Sequence, residues 1–536
     1  MDVLMIQTSS TGLESAVRDR SLLGLRTRLA VIGSRTSRIQ FHRALAPATM
    51  RGRVAVLNAV CSSPAAVVEG LEKKRPSPGI SRDRARLFVG LPLDAVSDGS
   101  NVNHAKAIAA GLKALKLLGA DGVEFPIWWG KVEKEAMGQY DWSGYIKLAE
   151  MVREAGLDLR ISLCFHAKRR SPAIPLPQWV SLIGESNPDI YFTDRAGIRY
   201  KECLSLSVDN LPVLNGKTPM QVYEEFIQSF KDSFSGFLDT TITDIMVGLG
   251  PNGELRYPSN DQSKSRKVGV GEFQCYDKHM LEHLKQHAQS SGNPMWGLSG
   301  PHDVPQYNQG PDANSFFKDS EGSWETPYGD FFLSWYSNQL LSHGDCLLSV
   351  ASGVFADSSV NVSAKLPLMH SWYKTRSHPS ELTSGFNNTA KKDGYEAFVD
   401  MFARHSCQMV LPGVNLSDEH QNQGSKSSPE SLFSQIKEAC KKHGVGVIGE
   451  SSVSGEADQN GFERIRKKLQ EVDTIMYQRM GVYFFSPEHW PLFTAFVRNM
   501  DRQQEMHADD LPTEGAGVVS SSAILEVEKQ SKMQVA

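Results

Sequence analysis

The 536-residue sequence has no long apolar run, no closely paired cysteines and no overall excess of positive charge. No uninterrupted apolar stretch approaches the roughly 18 residues of a membrane-spanning helix, so we expect no membrane insertion. The formal net charge of −4 gives no electrostatic reason to expect nucleic acid as a partner. Seven scattered cysteines without a CxxC pair resemble neither a disulfide framework nor a zinc site, so we expect reduced thiols and no bound metal.

Acidic residues are also absent between Arg20 and Val68, where eight arginines and many Ser, Thr and Ala residues occur. This composition is typical of an organelle transit peptide, and the apolar core of a secretory signal is missing. A basic disordered arm is the alternative interpretation. We predict a transit peptide over residues 1–70, a linker over 71–85 and a disordered, Ser-, Glu- and Gln-rich tail over 501–536.

Eight short β-type runs alternate with helical stretches between residues 86 and 500. The runs are apolar on both faces, which is typical of parallel strands covered by helices on both sides. They are LFVGLPL (87–93), GVEFPI (122–127), LDLRISLCF (157–165), TDIMVGLG (243–250), VNVSAKLPL (360–368), QMVLPGV (408–414), GVGVIG (444–449) and MGVYFF (480–485). Eight such units predict an α/β fold, a (β/α)8 TIM-type barrel with long loops at its C-terminal face. A doubly wound open sheet is the alternative, although no GxGxxG motif follows the first strand.

Polar side chains follow several of these runs, at the strand ends where (β/α)8 barrels carry their active residues. They are His166 after the third run, Glu254 after the fourth, Lys365 and His370 around the fifth, and Glu450 after the seventh. Two glutamates on different strand ends match the protonated acid and the ionised base or nucleophile of glycoside hydrolysis. Alternatively, Glu254 pairs with Arg256, Glu450 caps a helix and His166 is a core histidine. Aromatic residues near the same ends that could stack on a sugar are Trp128, Trp129, Tyr257 and Trp372.

Five ungapped motifs make the chain similar to the plant β-amylases, glycoside hydrolase family 14, over about residues 86–500. They are IWWGKVE (127–133), SVDNLPVLNGKTP (207–219), GLGPNGELRYPS (248–259), GEFQCYDKHM (271–280) and GDFFLSWYSNQLLSHGD (329–345). The resemblance implies inverting exo-hydrolysis of α-1,4-glucan from non-reducing ends, release of β-maltose, and no metal or organic cofactor. It assigns Glu254 as general acid and Glu450 as general base, with carboxyl groups roughly 6.5–9.5 Å apart.

The same matching shows where this chain departs from the family pattern. Four side chains that the pattern carries are replaced: an aspartate by Pro126, a tryptophan by Ser371, a threonine by Pro412 and an asparagine by Ser451. The arginine that ends the last strand aligns with Ser486, so we expect it to be missing. The mobile lid becomes AKRRSPA (167–173), which lacks the glycines and the aspartate, so we expect it not to close in the same way.

These replacements predict weak or absent catalysis. Each buried sugar hydroxyl left unpaired costs about 1–3 kcal/mol, so three or four losses lower the rate by about three to six orders of magnitude. We predict an inactive or very slow β-amylase-like protein of the chloroplast stroma, resembling the plant forms described as inactive β-amylases. It would regulate starch degradation by binding α-1,4-glucan, maltooligosaccharide or another protein. Its predicted substrate-binding residues are Trp129, His166, Lys365, His370 and Ser451.

Two alternatives remain at this stage. The first is an active α-1,4-glucan maltohydrolase that uses Glu254 and Glu450. The second is an interaction scaffold without sugar binding, whose barrel mouth the altered loops would occlude.

Overall fold

A computed structural model describes residues 84–260, 268–452, 459–481 and 483–500. The predicted transit peptide, the predicted C-terminal tail and most of the predicted linker lie outside these ranges. Within the described ranges, no helix combines the length and the apolar character needed to cross a bilayer.

Ten β-strands occur in the described residues. They are β1 (Arg86–Gly90), β2 (Gly122–Trp128), β3 (Asp158–Cys164), β4 (Tyr191–Thr193), β5 (Arg199–Leu204), β6 (Ile242–Val247), β7 (Asn361–Lys365), β8 (Gln408–Pro412), β9 (Val447–Glu450) and β10 (Thr474–Tyr477). Eight of them are parallel and close into a barrel in the order β1-β2-β3-β6-β7-β8-β9-β10, with β10 pairing back to β1. The antiparallel pair β4-β5 belongs to the long connection between β3 and β6. The predicted (β/α)8 barrel is confirmed, and closure excludes the open sheet.

Twelve α-helices accompany the strands in the described part of the chain. They are α1 (Ala105–Leu118), α2 (Trp129–Val132), α3 (Ser143–Glu154), α4 (Gln178–Ser186), α5 (Pro219–Ser233), α6 (Lys278–Ser290), α7 (Pro327–Val354), α8 (Pro379–Ser384), α9 (Glu396–Arg404), α10 (Pro429–His443), α11 (Gln459–Lys468) and α12 (Trp490–Met500). Each long helix buries one apolar stripe, as Val222, Phe226 and Phe230 do on α5. These stripes cover the outer face of the barrel strands and form one large core.

The eighth predicted strand was wrong. The run MGVYFF is not a strand, and the last barrel strand is the shorter segment β10, which precedes it. The aromatic residues of that run form a 3-10 turn at Tyr483–Phe485, and the Phe484 ring packs against His489 and Phe493 beside helix α12. Phe484 is therefore buried there by ring packing rather than by strand pairing, while Tyr483 and Phe485 are exposed.

Candidate functional site

A cavity of about 100 Å³ opens at the C-terminal end of the barrel. The last residues of four strands line it: Trp128 of β2, Cys164 of β3, Lys365 of β7 and Glu450 of β9. Because side chains alternate along a strand, residues two and four positions earlier on β2 and β3 line it as well. These are Glu124, Pro126, Arg160 and Ser162. Of the predicted site residues, the structure brings His166, Lys365 and Glu450 together in this cavity.

Glu450 and Lys365 form an ion pair inside this cavity. The Lys365 Nζ atom donates to Glu450 Oε1 at 2.6 Å, and the two side chains are only 12% and 11% exposed. Burial alone would lower the pKa of the Lys365 ammonium, but the carboxylates of Glu450 and Glu254 outweigh burial and raise it. Lys365 is therefore a fixed positive charge beside the predicted general base.

Glu254 lies beside the same lysine, on the turn that follows β6. The backbone N–H of Leu255 donates to the Lys365 carbonyl at 2.9 Å, which holds this turn against the end of β7. Arg256 Nε donates to Glu254 Oε2 at 2.6 Å. The structure thus contains the Glu254–Arg256 ion pair, which the sequence analysis gave as the alternative to a catalytic role. Glu254 also lies next to Lys365, a residue that lines the cavity.

His166 lines the cavity as an uncharged side chain. Burial lowers its pKa to about 3, and the positive charges of Lys365 and Arg256 act in the same direction. The imidazole ring meets the edge of the Trp128 ring at 5.3 Å between centroids. The sequence predicted His166 either as a ligand-binding or as a core residue, and its position is both buried and facing the cavity.

Three other predicted binding residues do not line the cavity. His370 Nδ1 shares a hydrogen bond with Ser427 at 2.6 Å, and the Ser451 hydroxyl accepts from the backbone N–H of Gln478 at 3.0 Å. Trp129 is fully buried, and its indole N–H donates to Glu133 at 2.6 Å. Trp129 begins helix α2 and points away from the strand face that faces inward, which corrects its predicted place in the site. The neighbouring Trp128 lines the cavity instead.

Two prolines stand where the family pattern has hydrogen-bonding side chains. Pro126 lines the cavity on β2. Pro412 ends β8 in register with Glu450 on β9. A proline side chain neither donates nor accepts a hydrogen bond, and its nitrogen has no hydrogen. At both positions a side chain that cannot form a hydrogen bond therefore stands where the family pattern has one that can.

The prediction that no arginine follows the last strand was wrong. Because β10 ends at Tyr477, the residue that follows it into the cavity is Arg479, not Ser486. Its Nη1 atom donates to the Leu91 carbonyl and lies 3.7 Å from Glu124 Oε2. The error came from the misplaced eighth strand.

The segment that replaces the lid is a tight, self-anchored loop. Lys168 and Ile174 exchange two backbone hydrogen bonds of 2.7 and 2.8 Å. The Lys168 Nζ atom donates to the carbonyls of Arg170, Ser171 and Pro172 at 2.7, 3.0 and 3.2 Å. These bonds tie the loop to itself, and the expectation that it does not close over the site stays a prediction.

Several cavity residues were not singled out from the sequence, and four of them carry charged or amide side chains that matter below. They are Glu124, Arg160, Gln478 and Arg479. The alternation along GVEFPIW could have found Glu124, because it lies on the same face of β2 as Pro126. Gln478 and Arg479 required the correct position of β10. In the described residues, no group of three or more His, Cys, Asp or Glu side chains is arranged to hold a metal ion.

Comparison with known proteins agrees with this architecture. The sequence model of Glycosyl hydrolase family 14 matches residues 88–505. The chain is 54% identical over 475 residues to Inactive beta-amylase 9 of Arabidopsis thaliana, covering 87% of this chain and 88% of that protein. It is 40% identical over 480 residues to Beta-amylase 2, chloroplastic, of Oryza sativa subsp. japonica, covering 86% of each. The solved catalytic domain of beta-amylase from Paenibacillus polymyxa shares the fold, with a TM-score of 0.63, 24% identity, and coverage of 77% of this chain and 98% of that domain.

Proposed function

Since the chain belongs to glycosyl hydrolase family 14, we propose that it is a β-amylase-like protein that binds α-1,4-glucan ends but hydrolyses them very slowly or not at all. In this role it regulates starch degradation rather than carrying it out. The observation that carries the proposal is the lining of the barrel cavity. Glu450 is retained and ion-paired with Lys365, while Pro126 lines the same cavity where the family pattern has an aspartate.

The physical reason for slow hydrolysis is the loss of contacts to sugar hydroxyls. Pro126, Pro412 and Ser451 remove side-chain partners, and each unpaired hydroxyl costs about 1–3 kcal/mol. Such contacts act on the rate when they are stronger in the transition state than in the bound substrate. The presence of Arg479 means that one lost contact fewer has to be counted. The three losses that remain amount to about 3–9 kcal/mol, or a rate lower by about two to six orders of magnitude.

The anchored loop at 167–174 supports the same proposal. A lid that closes over the substrate excludes water and completes the catalytic site. A loop whose own lysine bonds three of its carbonyls must break those bonds before it can change its shape. Binding of a glucan end does not require this movement, so the loop lowers the rate of hydrolysis more than the affinity.

The names of the relatives support this function and its compartment. The Arabidopsis relative is named an inactive beta-amylase, and the rice relative is named chloroplastic. We propose that the chain acts in the chloroplast stroma and that residues 1–70 are its transit peptide. A regulator that does not hydrolyse starch could act through a protein partner. This part of the proposal follows only from the proposed regulatory role and from no contact in the structure.

The test is an assay of maltose release from soluble starch and from a short maltooligosaccharide. The full chain is compared with Glu254→Gln, which removes the predicted general acid. We expect no more maltose from the full chain than from the variant. Maltose release that Glu254→Gln abolishes would instead show a working maltohydrolase.

Calorimetry with maltose and maltotriose distinguishes a glucan-binding regulator from a scaffold. We expect saturable binding of both sugars by the full chain. No heat of binding with either sugar, at protein concentrations that give a clear signal for millimolar affinities, would favour a scaffold without sugar binding.

A further inference from the structure

Buried polar atoms without a hydrogen-bond partner converge on the barrel cavity. Among the described residues, ten buried side-chain nitrogen or oxygen atoms have no such partner, and four of the ten belong to cavity residues. They are Glu124 Oε2, Arg160 Nη1, His166 Nδ1 and Gln478 Oε1. A buried polar atom without a partner costs about 1–3 kcal/mol. Four such atoms around one cavity indicate a polar ligand.

The kinds of atom indicate which polar ligand fits. The carboxylate oxygen of Glu124 and the amide oxygen of Gln478 accept hydrogen bonds, whereas Arg160 Nη1 donates. A hydroxyl group both donates and accepts, so neighbouring hydroxyls on one ring can satisfy atoms of both kinds. A ring of carbon atoms could satisfy none of them.

The charges around the cavity favour a neutral ligand. Three cationic side chains, Arg160, Lys365 and Arg479, face two carboxylates, Glu124 and Glu450. Lys365 is paired with Glu450 at 2.6 Å, and Arg479 lies 3.7 Å from Glu124, so four of these five charges are already matched. An added anion would be repelled by the two carboxylates, and an added cation by the guanidinium groups. A neutral polyhydroxyl ring, such as a glucosyl unit, meets neither repulsion.

Glu124 lies on β2 one inward-facing position deeper in the barrel than the place where the family pattern has an aspartate. It precedes Pro126 by two residues on β2, so both side chains lie on the inward face of the strand. Arg479 Nη1 lies 3.7 Å from Glu124 Oε2, which is close enough for attraction but too far for a hydrogen bond. The carboxylate is therefore oriented by charge while its oxygen stays available to a ligand.

Gly90 keeps the space beside this carboxylate open. A Cβ atom at Gly90 would lie 3.2 Å from Glu124 Oε2 and 3.0 Å from Gln478 Oε1. Both distances are tighter than ordinary van der Waals contact. Even a methyl group on β1 would therefore crowd the two acceptor atoms.

We propose that Glu124 is a sugar-binding residue of this cavity, whose Oε2 atom accepts a hydroxyl of a neutral glucosyl unit. Gln478 and Arg160 bind other hydroxyls of the same unit. This inference rests on the proposed function, because it names the residue that replaces the side-chain acceptor missing at Pro126. Glucan binding without rapid hydrolysis would then depend on these three residues, which differ from the side chains lost at Pro126, Pro412 and Ser451.

The test is calorimetry with maltose on the full chain and on two variants. Glu124→Gln removes the charge at nearly constant shape, and Gly90→Ala places a methyl group against the Glu124 and Gln478 oxygen atoms while leaving the charge of the carboxylate in place. We expect each variant to bind maltose about tenfold to a hundredfold more weakly, since hydrogen bonds to charged groups are the stronger ones. Glu272→Gln, at a buried glutamate outside the cavity lining, is the matched control and should bind as the unmodified chain does.

The outcomes separate this inference from the proposed function. If the unmodified chain binds maltose and both variants bind it equally well, the proposed role of Glu124 is wrong and the proposed function still stands. Unmodified chain that binds neither maltose nor maltotriose would overturn both. Thermal melts of each variant identify one that does not fold, and the other variant then decides. Glucose 6-phosphate should bind more weakly than glucose, and tighter binding would overturn the argument for a neutral ligand.

Discussion

The buried ion pair between Lys365 and Glu450 is expected to affect the stability of the protein strongly. The Lys365 ammonium and the Glu450 carboxylate are both nearly buried and 2.6 Å apart. Replacing Lys365 by methionine leaves a buried carboxylate without its partner, so we expect a loss of about 3–5 kcal/mol in the free energy of unfolding. Urea denaturation measures this loss. The double variant Lys365→Met with Glu450→Gln should recover part of it, and no recovery would contradict the pairing.

His166 makes the stability of the protein depend on pH. Its pKa is about 3 in the folded chain against 6.5 when unfolded, so between these values the unfolded chain binds more protons. Stability from this residue is therefore complete above pH 6.5 and falls as the pH falls towards 3. We expect acidification from pH 7 to pH 5 to destabilise the unmodified chain by about 2 kcal/mol more than it destabilises His166→Gln.

Urea denaturation at both pH values measures this difference. The exposed His302, replaced in the same way, is the control. The variant His302→Gln should follow the unmodified chain at both pH values. Equal pH dependence of His166→Gln and the unmodified chain would show that folding does not lower the pKa of His166.

Among the structural elements, the anchored loop at 167–174 gives a local prediction. Lys168→Met removes the three bonds from Nζ to loop carbonyls, while the two backbone bonds to Ile174 remain. Because the lysine is partly exposed, we expect opening to become easier by about 1 kcal/mol and amide exchange in the loop to become roughly fivefold to tenfold faster. Hydrogen exchange followed by mass spectrometry measures this, and unchanged exchange would contradict the anchoring.

The start of helix α5 is set by a local sequence motif. The Thr218 hydroxyl accepts from the backbone N–H of Gln221, and the Gln221 side chain accepts from the backbone N–H of Thr218. This reciprocal capping box satisfies two backbone donors at the start of the helix. Thr218→Ala should lower the free energy of unfolding by about 1 kcal/mol, measured by urea denaturation. Thr218→Ser keeps the hydroxyl and should lose much less.

At the scale of the whole molecule, barrel closure makes the last strand indispensable. β10 pairs with β1 on one side and with β9 on the other. A chain that ends at Val472 lacks β10 and exposes the edges of both neighbours, so we expect aggregation and no cooperative unfolding transition. A chain that ends at Met500 keeps every described strand and helix. It should melt as the full chain does, and a large loss would show that residues 501–536 contribute to the fold.

The sequence by itself determined the barrel and the strand ends that carry Glu254, Glu450, Lys365 and His166. Apolar runs, the helical stretches between them and local motifs are short-range properties, so they can be recognised without knowing which strands pair. The sequence failed at β10, because a four-residue strand is recognised by its two neighbours, and the more apolar run beside it forms a turn.

Only the tertiary structure decided which of two adjacent tryptophans faces the cavity and which arginine follows the last strand. It also decided that Glu124 faces the cavity with an oxygen that has no hydrogen-bond partner. Each of these outcomes depends on the register between strands distant in sequence. The contacts of each of these side chains are made with atoms that other strands bring within a few ångströms. The amino-acid sequence alone does not contain those distances.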